Sequence, residues 1–212
     1  MKKIAIFGAG GFGREVKWLI DDINKNSMSW NFIGYFDDDF TNAIHISEMQ
    51  KLGNLKDLNN WQESLNVVFA IGNPEVKKKI IQGISNSHLS FPILIHPTVG
   101  IGNNVIIGEG SIICAACIIT VDIRIGKHVI LNLGCTIGHD SIIGDYGSFM
   151  PSVNISGEVI TGDSIYVGTG VKIINRVNIG SETIIGAGAV VSKSLPEKCT
   201  AVGIPAKPIK YN

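Results

Sequence analysis

The sequence predicts an α/β domain with a short parallel sheet over residues 1–93, a parallel β-helix over residues 94–196 and a closing tail over residues 197–212. Three observations carry this division. From Ile95 to Leu195 an aliphatic position recurs every six residues through seventeen hexads without insertion or deletion, Thr161 being the one polar member, and nine of the following positions are glycine. Before the repeat, apolar runs alternate with helical spacings, as strand–helix–strand units do. After Val191 the period stops at Pro196, and the irregular Gly203-Ile204-Pro205-Ala206-Lys207-Pro208 follows.

An apolar residue every six, with small or β-branched residues such as Val105, Val129, Val153 and Ala189 four places later, suits short extended segments that each turn a corner and place one side chain inward. Repetition at a fixed period marks a solenoid. Three hexads make one triangular coil, because residues 101, 119, 137, 155, 173 and 191 then form a column of five isoleucines and a valine. The run amounts to a little under six coils. The tail is expected to cover the open end, where strand edges would otherwise lie unpaired.

In the first 93 residues, strands are expected over 3–7, 32–36, 67–71 and 91–95 and helices over 14–25, 54–62 and 74–84. That order predicts a parallel sheet of about four strands covered by helices. Between the first strand and helix lies Gly8-Ala9-Gly10-Gly11-Phe12-Gly13, a G-x-G-x-x-G loop where bare backbone can approach a phosphate and helix amides can meet its charge. Asp37, Asp38 and Asp39 end the second strand about 24 residues on, where a carboxylate can accept hydrogen bonds from a ribose or base. The alternative reading is a glycine-rich turn followed by an acidic surface turn. A Rossmann-like domain of this size is small for a dinucleotide, which favours a nucleotide sugar over NAD.

Eighteen basic against eighteen acidic residues leave no surplus for a polyanion, so nucleic acid is not an expected partner. No apolar run is long enough to span a membrane, and the apolar start, Ile4 to Phe7, is too short for a signal peptide. A soluble cytoplasmic protein is the expectation. Cys114 and Cys117 form a C-x-x-C, but no second such pair and no histidine pair completes a metal site. Cys117 and Cys135 fall in one inward slot eighteen residues apart and are expected to stack as small apolar fillers.

The sharpest catalytic candidate is His139, in Asn132-Leu133-Gly134-Cys135-Thr136-Ile137-Gly138-His139-Asp140. With Ile137 inward, His139 and Asp140 fall at the next corner and face outward. Removing a proton from an attacking nucleophile needs a base, and imidazole has a suitable intrinsic pKa. A neighbouring carboxylate can set its tautomer. On its own, an exposed His-Asp pair is more often a solvated corner than a catalytic one. His96 precedes Pro97 at the domain junction, His128 sits at a corner, and His45 and His88 lie in polar connections. A γ-class carbonic anhydrase, which also uses such a helix, needs three histidines converging on zinc, and His128 and His139 have no third partner in the repeat.

These hexads, with Gly203-Ile204-Pro205-Ala206-Lys207 as closing segment, resemble the hexapeptide acyltransferases, left-handed parallel β-helix proteins that assemble as trimers and use acetyl-CoA. The glycine loop, Ile71-Gly72-Asn73 and Leu94-Ile95-His96-Pro97 are similar to the sialic acid and nucleotide-sugar acetyltransferases, including those of the bacillosamine and perosamine pathways. The resemblance implies a homotrimer with sites between adjacent prisms and direct N-acetylation of a nucleotide-linked amino sugar. It assigns His139 as base, Asp140 as its orienting partner and Asn132 as a positioning residue. Gly10, Gly11, Phe12, Asp37, Asp38 and Gly72 would then lie along the nucleotide sugar, and Ser148, Thr169 and Ala187 along an acetyl-CoA groove. Two positions depart from the family pattern, which often has histidine at Phe12 and at Ser148. O-acetylation of sialic acid and a non-catalytic assembly or sensing module are the competing readings.

Overall fold

Ile4, Ala5, Ile6 and Phe7 are buried on both sides of strand β1 (Lys2–Phe7), as the central strand of a helix-covered parallel sheet must be. The computed structural model describes residues 1–41, 43, 45–47 and 50–211. β2 (Trp30–Phe36) and β4 (Leu65–Phe69) pair parallel with β1 on either side. β3 (Lys51–Gly53) and β5 (Leu89–Ser90) form the edges, giving a five-stranded order β3-β2-β1-β4-β5. The expected fourth strand over 91–95 is corrected. Leu94–Ile95 pairs with Ile112–Ile113 and opens the solenoid, while the edge of the α/β sheet is Leu89–Ser90, upstream of Pro92.

Helix α1 (Gly11–Asn26) starts three residues earlier than its apolar spacing indicates, inside the glycine loop, and buries Val16, Leu19 and Ile20. α2 (Leu55–Asn59) is shorter than expected, with Asn54 and Asp57 forming a reciprocal capping box. α3 (Pro74–Gln82) begins on proline and is capped by Asn73, whose side chain accepts from the amides of Glu75 and Val76.

The hexads build three parallel faces. The first carries Leu94–Ile95, Ile112–Ile113, Ile130–Leu131, Ser148–Phe149, Tyr166–Val167 and Ile184–Ile185, and the tail adds Cys199–Val202 and the antiparallel Lys207–Tyr211 to its end. The second holds six strands from Gly100–Ile101 to Val190–Val191, and the third holds five from Val105–Ile107 to Asn178–Ile179. Partners among the hexad strands of each face are eighteen residues apart, as in Ile119 with Ile137 and Ile137 with Ile155, and all three side chains are 3% exposed or less. Burying each contributes on the order of 2 kcal/mol. Thr161 fits this interior because its Oγ1 accepts from the Gly144 amide at 3.2 Å.

The α/β domain sits on the first face. Leu94, Ile112 and Ile130 join Ile4, Ile6, Val16 and Leu19 in one apolar cluster. His96 closes the seam, its Nε2 2.9 Å from Asp22 Oδ2 on α1 and its Nδ1 2.9 Å from Thr98 Oγ1. Tyr166 and Ile184, further along the same face, stay partly open.

Candidate active site

His139 stands where the second face turns into the third. This corner passes through Asn104, Asp122, Asp140, Glu158 and Arg176 in successive coils, all with left-handed φ between 57° and 61°. Aspartate and asparagine tolerate that region better than most residues. His139 Nδ1 lies 2.7 Å from Asp140 Oδ2, with the two side chains 57% and 59% exposed. A proton on Nδ1 donated to the carboxylate leaves Nε2 as the acceptor. One coil on, a Cβ at Gly157 would meet the imidazole Cε1 and Nε2 at 2.6 Å, so the ring occupies space that only glycine leaves. Beside the pair, Asp140, Glu158, Ile160, Arg176 and Asn178 line a groove of about 530 Å3.

Asn132 belongs to a different corner, between the first and second faces. It is 7% exposed, and its Oδ1 accepts from the Leu133 amide at 2.7 Å. Within one chain it is not brought to His139. Thr169 and Ala187 extend the same corner row two and three coils beyond Leu133, and both are exposed. Ser148, expected along the acetyl-CoA groove, is instead fully buried on the first face, where Lys77 Nζ of α3 donates to its Oγ at 2.9 Å. It presents no surface to a ligand in this arrangement.

The glycine loop holds its shape through two close approaches. A Cβ at Gly8, whose φ is +112°, would meet the Ala70 carbonyl oxygen at 2.7 Å, and one at Gly13 would meet the Gly8 carbonyl oxygen at 2.0 Å. Gly10 and Gly11 differ: a Cβ there meets nothing within 4 Å, so the open space lies outside the protein. Asp37 pins the loop, its Oδ2 accepting from the Ala9 amide at 2.7 Å. Asp38 accepts from the Leu55 amide at 2.9 Å and starts α2. Gly10, Asp37, Asp38 and Ile71 line a cavity of about 330 Å3 at the carboxyl ends of β1, β2 and β4. α1 has no side-chain cap, which leaves its leading amides for an anion. Phe12 packs on the apolar cluster under α1. Gly72 lies in a separate cleft, next to the first cavity along the chain.

Between the domains, burial pulls the pKa of Lys77 down to about 7. His128 falls to about 4, through burial first and the Lys77 charge second; its ring stacks on Tyr146 at 5.7 Å. All four cysteines are free and buried. Burial pushes the Cys114 thiol up, and Cys135 Sγ donates to the Met150 carbonyl at 3.3 Å. Among the described residues no cluster of His, Cys, Asp and Glu is built to hold a metal ion, and no helix is long and apolar enough to cross a membrane.

Gly157 and the cleft at Gly72 are the features that motif reading passes over. Gly157 is findable by adding one coil, eighteen residues, to His139. The cleft joins residues more than a hundred positions apart and has no local signal.

A hexad β-helix with an outward His-carboxylate pair, docked on an α/β domain with an open glycine loop, defines an acyltransferase of the hexapeptide-repeat class. Residues 3–84 match the family model of the PglD N-terminal domain. The chain is 31% identical to the GDP-perosamine N-acetyltransferase of Escherichia coli O157:H7, over 80% of this chain and 77% of that one. It superposes on the acetyltransferase domain of PglB from Neisseria gonorrhoeae FA1090 with a TM-score of 0.89, at 27% identity, covering 99% of this chain and 100% of that one. For PerB from Caulobacter crescentus, solved in complex with CoA and GDP-perosamine, the TM-score is 0.87 at 27% identity, with 99% and 98% covered. The chain belongs to the nucleotide-sugar acetyltransferase family of the perosamine and bacillosamine type, with that family's left-handed parallel β-helix, and is an acetyltransferase.

Proposed function

We propose that the protein transfers the acetyl group of acetyl-CoA directly to the amino group of a nucleotide-linked amino sugar, with His139 as general base. The observation that carries this reading is the His139–Asp140 pair, 2.7 Å apart at an exposed corner. Asp140 holds the imidazole with Nε2 free. Nε2 takes a proton from the sugar nitrogen as it attacks the thioester carbonyl, backbone amides meet the developing oxyanion, and the imidazolium returns the proton to the departing thiolate. Direct transfer fits thiols that are all buried and so offer no nucleophile for an acyl-enzyme.

The nucleotide is assigned to the cavity at Gly10, Asp37 and Asp38, its phosphates toward the uncapped start of α1. CoA and GDP-perosamine in the PerB complex support both ligand assignments. A homotrimer with sites between prisms fits the separation of the two corner rows. His139 on one corner and Asn132, Thr169 and Ala187 on another can serve one site only when each row comes from a different copy. Ile118, Ile142 and Ile160, between 44% and 52% exposed, flank the His139 corner and suit such a contact.

A thiol-release assay with acetyl-CoA and GDP-, UDP- and dTDP-linked 4-amino sugars, with free sialic acid alongside, tests the reading. The expected product is an amide, resistant to hydroxylamine, from a nucleotide sugar. An ester on sialic acid, or no thiol release with any acceptor, rejects it.

A further inference from the structure

Helix α1 runs down the corner between the first and second faces, against the direction in which the coils follow one another. Its Trp18 ring lies 5.5 Å from the His96 ring, in the first coil. Glu15 lies by the second coil, where the Cys114 thiol is pushed up by burial first, then by Cys117 and by the Glu15 carboxylate. Phe12 packs on the same apolar cluster as Leu133 of the third coil. Three residues of helix rise about 4.5 Å, close to the strand spacing of about 4.8 Å between coils. Positions 12, 15 and 18 therefore form one stripe of the helix that climbs one coil per step. Trp18 is 45% exposed and Glu15 is exposed, so the stripe ends in water beside the prism.

Another corner, where the second face turns into the third, has a furrow of about 750 Å3 across the same two coils, with Asn104, Ile106, Asp122 and Arg124 among its walls. One coil further on, this corner carries His139 and Asp140. Ile106 is 56% exposed. Asn104 Nδ2 donates to Asp122 Oδ1 at 2.9 Å and holds the rim. Arg124 stands in the outward column of the third face between Ile106 and Ile142. Among the described residues neither Arg124 nor Glu15 has an ion-pair partner. An exposed indole and an unpaired guanidinium beside isoleucines are the side chains that anchor protein contacts.

Resting on the homotrimer proposed above, we infer that α1 of each copy docks in this furrow on the next copy, with Trp18 entering beside Asn104 and Ile106 and Glu15 pairing with Arg124. Rotation about an axis parallel to the prisms keeps the coils of all copies level. The first coil of one copy, with Trp18, then faces the first coil of its neighbour, with Asn104 and Ile106. The second coils bring Glu15 to Arg124, opposite in sign and each otherwise unpaired. At the third coil the glycine loop, where α1 begins, comes level with the neighbouring copy's His139. The contact thus sets the height of one copy's nucleotide loop against the next copy's catalytic pair.

The test is cross-linking with a short bismaleimide, beside the mass of wild type in solution. All four native cysteines are buried, so introduced surface thiols are the ones that react. Trp18→Cys and Asn104→Cys, purified separately and mixed to exchange subunits, are expected to give a covalent dimer that neither gives alone. The double variant Trp18→Cys/Asn104→Cys should close into a covalent trimer. Lys79→Cys/Asn104→Cys is the control, because α3 docks by Gly147 at the far side of the first face. Arg124→Glu and Glu15→Arg should each raise the concentration at which the trimer dissociates by about tenfold, and the double swap should recover most of that loss. Trimeric wild type whose Trp18→Cys/Asn104→Cys variant stays monomeric on a denaturing gel overturns the inference, as do cross-links within one chain or equal yield from the Lys79 control. Charge swaps whose effects simply add also overturn it. Wild type that is monomeric in solution rejects the homotrimer itself, a result that the mass alone identifies.

Discussion

Lys77 Nζ donates to Ser148 Oγ at 2.9 Å and points at the Gly147 carbonyl at 3.3 Å, 1% exposed and without a carboxylate beside it. This contact joins α3 to the first face of the solenoid. Burial has lowered the lysine from its ordinary 10.5 to about 7. A group so lowered is more readily protonated when the chain unfolds, so the folded state gains stability as pH rises between about 7 and 10.5. Chemical denaturation across that range should show a slope of up to about 1.4 kcal/mol per pH unit that Lys77→Met removes. Equal slopes in the two proteins would contradict the assignment.

His128 has the same sign at lower pH. Its folded value of about 4 lies below the ordinary 6.5, so the stability it confers is full above 6.5 and is lost as pH falls toward 4. His128→Phe keeps an aromatic ring against Tyr146 and should be less sensitive to acid over that interval, measured as the shift in melting temperature between pH 7 and pH 4.5.

Gly157→Ala tests whether the placement of His139 matters, without altering the pair itself. The added methyl would meet the ring at 2.6 Å while the backbone φ there is not left-handed. The expected result is a ten- to hundredfold lower kcat, with stability within about 1 kcal/mol of wild type. Full activity would mean that the ring can move and still work.

In the glycine loop, Gly10→Ala should fold normally, since its Cβ meets nothing within 4 Å. It should weaken nucleoside diphosphate binding by crowding the ligand. Asp37→Ala should do both, weakening binding and lowering stability by about 1–3 kcal/mol, because it frees the buried Ala9 amide. Calorimetry with the diphosphate and a thermal melt separate the two effects.

The hexad register was enough to place Ile137 inward and the His139–Asp140 pair at a corner, because position within the period decides inside from outside. The same period separates Asn132 from His139, seven residues and one corner apart, and predicts Gly157 below the imidazole. Ser148 could not be read that way. It faces outward in the register, and its burial comes from α3 docking on the first face, a tertiary event set by Leu94, Ile112 and Ile130 meeting α1. The strand expected at 91–95 illustrates the same limit, since Leu94 and Ile95 suit either sheet locally and the pairing with Ile112–Ile113 decides.

The central claim is that His139 removes the proton from the attacking sugar amine. Steady-state acetyl transfer by wild type and His139→Asn, at saturating acetyl-CoA and with the acceptor found active, tests it most directly. Both side chains of the pair are more than half exposed, so the variant should fold as wild type does. The account predicts kcat lower by about 10²–10⁴ in His139→Asn, with the KM for the nucleotide sugar within a fewfold of wild type and Asp140→Asn intermediate. A His139→Asn enzyme that turns over at the wild-type rate would contradict it.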